Sequence, residues 1–384
     1  MNCTSALSVV AGVLLLATGC GQGLLGGESS TEQDGPITLG MAVPMSGSSA
    51  DIGPYMKNGA QLAIDEINAH GGVQGRKLKL RVEDDACDPQ TAVAAATKLV
   101  TSKIALSVGG YCSGATLPTL PVFAKAHIPM IIPAANSDEL YKEGYQGAFM
   151  INGTGTQQAD AALAWMEKTG ARRVAVVHDN TSYAKNIATL MEPRLKQAGG
   201  PRQVEATSLT PGENDYSATV DEVLNAKPDF VYWTGYDKEG GLLIRQLRQA
   251  GYQGEIMVAD GAVSPALAKI SGAADAEGVL ATMTQTPDTI EGGAAWINSY
   301  REKFGSAPGP FSTQSYDAVR LAADAIGRAD GTDSTKVIAA LKNTHNFKLF
   351  SGPLAFTSNR TLSSGGFVIL VQKGGRFVRA DGKV

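Results

Sequence analysis

From residue 37 onward, short β-branched runs alternate with longer segments in which apolar residues recur at helical spacing. The run 37–43 (ITLGMAV) predicts a strand. Residues 54–70 predict a helix whose apolar face contains Ala60, Ala63, Ile64 and Ile67. The pattern then predicts strands at 77–82, 104–108 and 128–132 and helices at 89–102 and 114–126.

The alternation restarts with a helix at 157–169 and a strand at 172–178. It continues with helices at 182–198, 216–226 and 238–250 and with strands at 203–208, 229–233 and 255–259. Alternating strands and helices predict a parallel sheet that is covered by helices on both faces. The two runs therefore predict an α/β protein with two Rossmann-like lobes, and 384 residues are enough for two domains.

The last hundred residues have a different order of elements. They predict helices at 293–304, 312–328 and 334–343, followed by strands at 353–356, 366–372 and 376–379. Neither lobe needs all of these elements for its own sheet. The pattern therefore leaves open that the chain crosses between the lobes more than once.

The N-terminal segment predicts export. Residues 6–17 are apolar over about the length of a signal-peptide core and are too few to span a bilayer as a helix. The run 16–20 (LATGC) resembles a bacterial lipoprotein box, in which cleavage precedes a cysteine that receives lipid. We predict a signal peptide at 1–19, lipidation of Cys20 and a tether at 20–36 that holds the body at the cell membrane. A plain secretory signal is the alternative, and both place the body outside the cytoplasm.

The cysteine count fits an exported protein. Cys3 lies in the predicted signal peptide and Cys20 is the predicted lipid acceptor, which leaves Cys87 and Cys112 in the folded body. An even pair in an oxidising compartment suggests one disulfide. Two free buried thiols are the alternative.

Composition and charge argue against several classes of function. The 33 Lys and Arg and 37 Asp and Glu give a net charge of −4 without a basic run, which is weak evidence against nucleic-acid binding. The four histidines are scattered, so no metal motif is expected. The sequence has no P-loop, no G-x-S-x-G motif and no intact dinucleotide fingerprint, so we predict neither an enzyme nor a cofactor.

The loops that follow the predicted strands suit a binding site. Ser113 and Gly114 lie between strand 104–108 and a helix, where backbone N–H groups and a hydroxyl can hold an anion. Asn136 follows strand 128–132, and ligands of open α/β sheets bind at the carboxyl ends of strands. These loops could hold a carboxylate, although helix capping is an alternative role for Ser113.

The second lobe offers a complementary set of side chains. Tyr183, Tyr236 and Asp260 each come shortly after a predicted strand. A buried carboxylate is costly unless it meets a cation. A ligand that is anionic at one end and cationic at the other would therefore fit both lobes.

Seven motifs in a fixed order add a family resemblance. They are 43–47 (VPMSG), 69–75 (AHGGVQG), 84–89 (DDACDP), 112–113 (CS), 133–135 (PAA), 177–179 (VHD) and 232–236 (YWTGY). Together they resemble the leucine/isoleucine/valine-binding proteins that serve ABC importers and have the periplasmic-binding-protein type I fold. The likeness covers essentially all of 37–380.

The resemblance implies that Cys87 and Cys112 form a disulfide. It also implies three crossover segments between the lobes, near residues 155, 285 and 349. The N-terminal lobe would then comprise 37–155 and 286–348, and the C-terminal lobe 156–285 and 349–384.

The resemblance also implies roles for individual residues. The partners of a ligand carboxylate would be Ser113, the backbone of Ala134, and Asn136. The partners of a ligand ammonium would be Asp260, Tyr183 and Tyr236.

Three positions depart from the family pattern. Asn136 stands in place of a threonine, Asp260 in place of a glutamate, and Ile52 in place of an aromatic pocket wall. An isoleucine wall still favours an aliphatic ligand, and Phe311 is a further candidate wall.

We therefore predict a monomeric substrate-binding protein that captures an α-amino acid, of the Leu/Ile/Val class, between two closing lobes. It would deliver this ligand to the permease subunits of an ABC importer. The alternatives are another solute, such as an amide, urea, an aromatic acid or a short peptide, and a role as a ligand sensor.

Overall fold

Two sheets form the framework of the chain in the computed structural model, which describes residues 35–290, 292–363 and 366–382. The predicted signal peptide, the tether up to residue 34 and the predicted lipidation at Cys20 lie outside the described residues. The two sheets and their covering helices confirm the predicted two-lobed α/β class.

The first sheet has five parallel strands in the order β2-β1-β3-β4-β5. These strands are β1 (Ile37–Val43), β2 (Leu78–Asp84), β3 (Leu106–Ser107), β4 (Met130–Ile132) and β5 (Ala148–Met150). Nearly every residue of β1 is buried, as expected for a central strand covered on both faces. The short β5 has no counterpart among the predicted strands.

The first helices cover this sheet. They are α1 (Gly53–Ala69), α2 (Pro89–Thr101), α3 (Ser113–Thr116), α4 (Leu120–Lys125) and α5 (Glu139–Lys142). The prediction of one helix over 114–126 is wrong, because a 3-10 turn, Leu117–Thr119, separates α3 from α4. Pro118 and Pro121 lie at this break, and a proline cannot donate the backbone hydrogen bond that a continuous α-helix requires.

The second sheet has seven strands in the order β14-β13-β10-β9-β8-β6-β7. Its parallel strands are β6 (Arg173–His178), β7 (Arg202–Ser208), β8 (Phe230–Trp233), β9 (Glu255–Val258) and β10 (Leu280–Thr284). Its helices are α6 (Gly155–Thr169), α7 (Ser182–Arg194), α8 (Ser217–Asn225), α9 (Asp237–Gln249), α10 (Pro265–Ser271) and α11 (Ala273–Ala276).

The C-terminal strands complete the second sheet. A two-stranded ribbon, β11 (Lys348–Leu349) and β12 (Gly352–Pro353), comes first, so the predicted strand at 353–356 is wrong. The hairpin of β13 (Phe367–Lys373) and β14 (Arg376–Arg379) then adds to the edge at β10. Both hairpin strands pair antiparallel with their neighbours. The prediction of a parallel sheet is therefore correct for the five strands from β7 to β10 in the sheet order and wrong for β13 and β14.

Three helices that follow β10 return to the first lobe. They are α12 (Gly293–Phe304), α13 (Ser312–Arg328) and α14 (Ser334–Lys342). Helix α13 packs along α1, and a Cβ on Gly59 would lie only 2.0 Å from the carbonyl oxygen of Ser312, so this contact requires a glycine. The lobe boundaries near 155, 285 and 349 stay predictions.

A disulfide joins Cys87, after β2, to Cys112, at the start of α3. The Cα atoms are 5.4 Å apart, and the cysteines are separated by 25 positions in the sequence. Asp88 follows Cys87 and caps α2, because its Oδ1 accepts a hydrogen bond from the N–H of Thr91 at 2.8 Å. The bond between Cys87 and Cys112 confirms the predicted disulfide, and the alternative of two free thiols is wrong.

We expect the double variant Cys87→Ala, Cys112→Ala to unfold at a lower temperature than the native protein. Loss of a cross-link over this loop removes about 3 kcal/mol in the chain-entropy model, or about 4 °C for a chain of this size. Differential scanning calorimetry measures the change. Reductant should lower the Tm of the native protein and leave that of the double variant unchanged, and an equal response of both proteins would contradict the prediction.

Candidate binding site

Loops from the carboxyl ends of strands in both sheets meet in one small cavity between the lobes. Its lining residues are Tyr111, Ala134, Asn136, Tyr183, Tyr236, Asp260, Gly261 and Phe311. The structure therefore brings together most of the residues that the sequence singled out, although these positions are up to 200 residues apart in the chain.

Asp260 is the buried acid of this cavity. It begins the 3-10 turn Asp260–Ala262 after β9, and its exposed fraction is 2%. Its Oδ1 accepts hydrogen bonds from the hydroxyl of Tyr183 at 2.5 Å and from Nε2 of Gln158 at 2.9 Å. Its Oδ2 accepts one from Nδ2 of Asn136 at 3.3 Å. Burial raises the pKa of Asp260 to about 6, and no ion pair reaches it from the described residues.

Tyr183 holds the turn that carries Asp260. Its hydroxyl donates to Asp260 and accepts a hydrogen bond from the N–H of Gly261 at 2.8 Å. Burial and the nearby carboxylate raise the pKa of Tyr183 well above its ordinary value, so it stays a donor. A Cβ on Gly261 would lie 2.8 Å from the ring of Tyr183 and 3.1 Å from that of Tyr236, so the turn can pass the two rings only as glycine.

Asn136 projects from the first lobe toward this acid. Its Nδ2 donates to Oε1 of Gln158 at 2.8 Å as well as to Asp260, and its Oδ1 has no hydrogen-bond partner within the described chain. The resemblance implied a contact with a ligand carboxylate. The structure instead places the amide of Asn136 on the side of Asp260, where its free oxygen could accept from a cation.

Ser113 lies behind the loop that follows β4. Its Oγ accepts hydrogen bonds from the backbone N–H groups of Asn136 at 3.3 Å and Ser137 at 3.2 Å. Its own proton has no acceptor among the described residues, but Ser113 is buried, with an exposed fraction of 1%, and it does not line the small cavity. Ser113 is the first residue of α3 and Cys112 is its N-cap, so the alternative that Ser113 serves only as the helix cap is wrong.

Aromatic rings form the walls of the cavity. The ring of Tyr111 lies 5.5 Å from Phe311 and 5.9 Å from Tyr236, and the rings of Tyr183 and Tyr236 are 5.1 Å apart. Such spacings are typical of favourable ring pairs. Ile52, the other predicted wall, lies at the start of α1 in the core of the first lobe, and the structure does not bring it to the lining of this cavity.

A second cavity of about 430 Å³ opens beside Tyr236 toward the mouth of the cleft. Its first-lobe wall is largely apolar and includes the disulfide, Ala115 and Leu117. Its second-lobe wall carries the acids Asp179, Asp237 and Glu239. Each of these acids accepts a hydrogen bond within its own lobe, from Thr181, Ser264 and Gly212 respectively. The apolar wall suits an aliphatic group.

The sequence analysis missed three residues of the site. Gln158 and Tyr111 contact the residues described above, and Thr282 accepts a hydrogen bond from Gln158 Nε2 at 2.9 Å. Tyr111 follows Gly109 and Gly110, shortly after β3 ends at Ser107, and this position after a strand is a signal that could have identified it. Gln158 lies within a helix and Thr282 within a strand, so position alone gave no signal for either.

The described ranges contain no group of three or more His, Cys, Asp and Glu side chains that could hold a metal ion. None of their helices combines the length and the apolar character needed to cross a membrane.

The comparison with protein families decides the class of this cleft. A family model described as periplasmic binding protein matches residues 36–376. The chain belongs to this family. Its members are extracytoplasmic solute-binding proteins, so the protein is a binding protein and not an enzyme.

Three relatives illustrate the likeness to this periplasmic binding protein. The leucine-, isoleucine-, valine-, threonine- and alanine-binding protein of Pseudomonas aeruginosa is 33% identical over 87% of this chain and 89% of its own. The structure of a leucine-binding protein from Thermotoga maritima has a TM-score of 0.82 at 26% identity, over 89% of this chain and 97% of its own. The structure of a branched-chain amino acid transporter substrate-binding protein from Streptococcus pneumoniae, in complex with isoleucine, has a TM-score of 0.81 at 27% identity. The match covers 90% of this chain and 99% of its own.

We expect the carboxyl group of Asp260 to titrate near pH 6, as measured by carbon-13 NMR. The variant Tyr183→Phe should raise this pKa further, because it removes a donor that stabilises the charged form. Asp88 is the internal reference, since hydrogen bonds from Thr91 lower its pKa. Titration of Asp260 near pH 4, or an unchanged pKa in Tyr183→Phe, would refute this account of the site.

Proposed function

We propose that the protein captures a free α-amino acid with an aliphatic side chain, of the Leu/Ile/Val class, between its two lobes and delivers it to an ABC importer. The family membership supports solute binding, and the site supports this particular chemistry.

The buried carboxylate of Asp260 carries the proposal. Its hydrogen-bond donors, among them Tyr183, Gln158 and Asn136, are neutral, and no ion pair supplies a cation from the described residues. An α-ammonium group would supply that charge, and a charge-assisted hydrogen bond is about twice as strong as a neutral one. The unpartnered Oδ1 of Asn136 is a second acceptor for the same group.

The carboxylate end of the ligand would meet the first lobe. The free hydroxyl proton of Ser113 and the backbone around Ala134 lie at the end of the parallel sheet, near the first turn of α3. Hydroxyl and backbone N–H donors of this kind suit an anion. The second lobe contributes the acid and the first lobe these donors, so an amino acid bridges the two.

The side chain of the ligand would lie among apolar groups. Phe311 and Tyr111 form one wall, and the Cys87–Cys112 disulfide lies in the cavity that adjoins Tyr236. The ligands named for the relatives, which are branched-chain and other small amino acids, support this choice.

Binding would couple to lobe closure. A shift of the closed population from 1:99 to 99:1 requires the ligand to prefer the closed form by about 5.5 kcal/mol. One charge-assisted contact at Asp260 contributes about 1.5–3 kcal/mol, so the tyrosines and the first-lobe donors must supply the rest. The closed form, as a monomer held at the membrane by a lipid on Cys20, would then dock on the permease.

We expect a thermal-shift screen of the refolded, ligand-stripped protein to respond to Leu, Ile and Val. At 100 times the Kd, a ligand adds about 2.7 kcal/mol, or about 4 °C for a chain of this size. The panel is the twenty amino acids with urea, acetamide and benzoate. A flat amino-acid panel with a response to urea, acetamide or benzoate would overturn the proposed ligand class.

The variant Asp260→Ala should abolish this response, because the ammonium loses its charged partner. Asp317→Asn is the matched control, since Asp317 is also buried but lies on α13, where it accepts from the N–H of Phe350 and pairs with Arg320. The control variant is expected to lose stability and keep the ligand-induced shift. Equal affinity in Asp260→Ala and the native protein would contradict the role of Asp260.

The lipid anchor has a separate test. The variant Cys20→Ala, expressed in bacteria from the full chain, should move the protein from the membrane fraction to the soluble extracytoplasmic fraction, and it should remove incorporation of labelled palmitate. Cys3→Ala is the control and should change neither readout. Membrane retention and labelling in Cys20→Ala would contradict lipidation at this residue.

A further inference from the structure

We propose that the protein has a second small-molecule site, outside the cleft, for a carboxylate with an apolar body. It lies in a cavity of about 300 Å³ where the chain passes from β10 to α12. We call it the crossover cavity and define it by Ile297, Arg301, Pro310, Gln372, Arg376 and Phe377. It shares no lining residue with the cavity around Asp260 or with the one at the cleft mouth.

A buried amide indicates that the crossover cavity is built to receive a polar atom. Gln372 on β13 has an exposed fraction of 1%, and its Oε1 has no hydrogen-bond partner among the described residues. Its backbone is fixed, because its N–H donates to the carbonyl of Val279 at 2.8 Å and its carbonyl accepts from Gly278 at 2.9 Å. A buried amide left without a partner is costly, and a ligand in the cavity would provide one. Rotation about the last side-chain bond lets this amide either accept or donate.

Two arginines give the crossover cavity its charge preference. Arg301 lies in the last turn of α12, and Arg376 begins β14. Neither guanidinium forms an ion pair or a side-chain hydrogen bond within the described chain. Asp288 is the one acid among the described lining residues, which leaves an excess of positive charge. A guanidinium matches a carboxylate with two parallel hydrogen bonds, so an anion of this kind is the best fit.

The rest of the crossover cavity is apolar. Ile297, Pro310 and Phe377 contribute to its walls together with Val263. A volume near 300 Å³ is at the lower end of the range for small-molecule sites, which favours a compact body such as one ring or a short chain. The ligand class is therefore a small aromatic or aliphatic carboxylate without a requirement for an ammonium group.

The walls of the crossover cavity come from both lobes. Helix α12 packs on α1 of the first lobe, whereas the hairpin of β13 and β14 belongs to the second sheet. A carboxylate that contacts both Arg301 and Arg376 favours the arrangement in which both face the cavity, as they do here. Occupancy should therefore favour the present arrangement of the lobes and raise the affinity of the cleft for its own ligand. This coupling rests on the proposed function, whereas binding in the crossover cavity does not.

The test uses 3-phenylpropionate as the probe and isothermal titration calorimetry on the folded protein, up to about 10 mM. We expect saturable binding of one probe molecule, and binding at least about tenfold weaker in the double variant Arg301→Gln, Arg376→Gln. Arg202→Gln is the matched control, because Arg202 is also exposed but begins β7, at the opposite edge of the second sheet from β14. The neutral analogue 3-phenylpropanamide should bind at least about tenfold more weakly than the acid.

Any of the following results would overturn the proposal: no probe binding, full binding by the double variant, loss of binding in Arg202→Gln, or equal binding of the neutral amide. Leucine then separates this site from the cleft. With the crossover cavity occupied, leucine should bind more tightly, whereas direct competition between leucine and the probe would place the probe in the cleft and overturn the proposal. If leucine does not bind at all, the proposed function fails, and probe binding that depends on the two arginines still supports the second site.

Discussion

The cleft depends on one constraint, which is a carboxylate buried without a cation. Asp260 retains three neutral donors, and its raised pKa reports the cost of removing its charge from water. The neighbouring structure limits that cost. Tyr183 donates to the acid and accepts from Gly261, and the absence of a side chain at Gly261 lets the turn approach both rings. The turn that carries Asp260 is thus arranged around a buried carboxylate that meets no cation among the described residues.

The same acid also connects the two lobes. Asn136 of the first lobe donates both to Asp260 and to Gln158, and Tyr111 of the first lobe donates to the carbonyl of Gly261 at 3.3 Å. At the rim, Ser182 Oγ donates to Glu139 at 2.6 Å. The contact between Ser182 and Glu139 is exposed and the one from Tyr111 is neutral, so both contribute modestly, whereas the hydrogen bond from Asn136 is buried and reaches a carboxylate.

Much of the fold and part of the site could be predicted from the sequence. The hydrophobic pattern of the sequence identified β1, β6, β8 and β9, because parallel strands that are buried on both faces consist of nearly continuous apolar residues. The strand-end rule placed Asp260 and Tyr183 in the site because both follow strands. Gln158 could not be found in this way. Its partner Asp260 lies 102 positions away in the sequence, and only the packing of the folded chain brings the two side chains together. Neither β5 nor β10 was predicted. Strand β5 is too short to show a periodic pattern, and β10 (LATMT) mixes threonine with apolar residues.

The antiparallel hairpin at the end of the chain links the fold to the second cavity. The chain leaves β10 at Thr284 and enters β13 at Phe367, directly opposite, so it returns at the same end of the sheet and β13 runs antiparallel to β10. This return places β14 next to the turn Pro287–Thr289, where the chain leaves the second sheet. Arg376 and Gln372 consequently lie close to this turn, in the lining of the crossover cavity. If the chain crosses between the lobes near residue 285 as predicted, a small ligand bound there would contact both lobes where the chain passes between them, which is the physical basis of the proposed coupling.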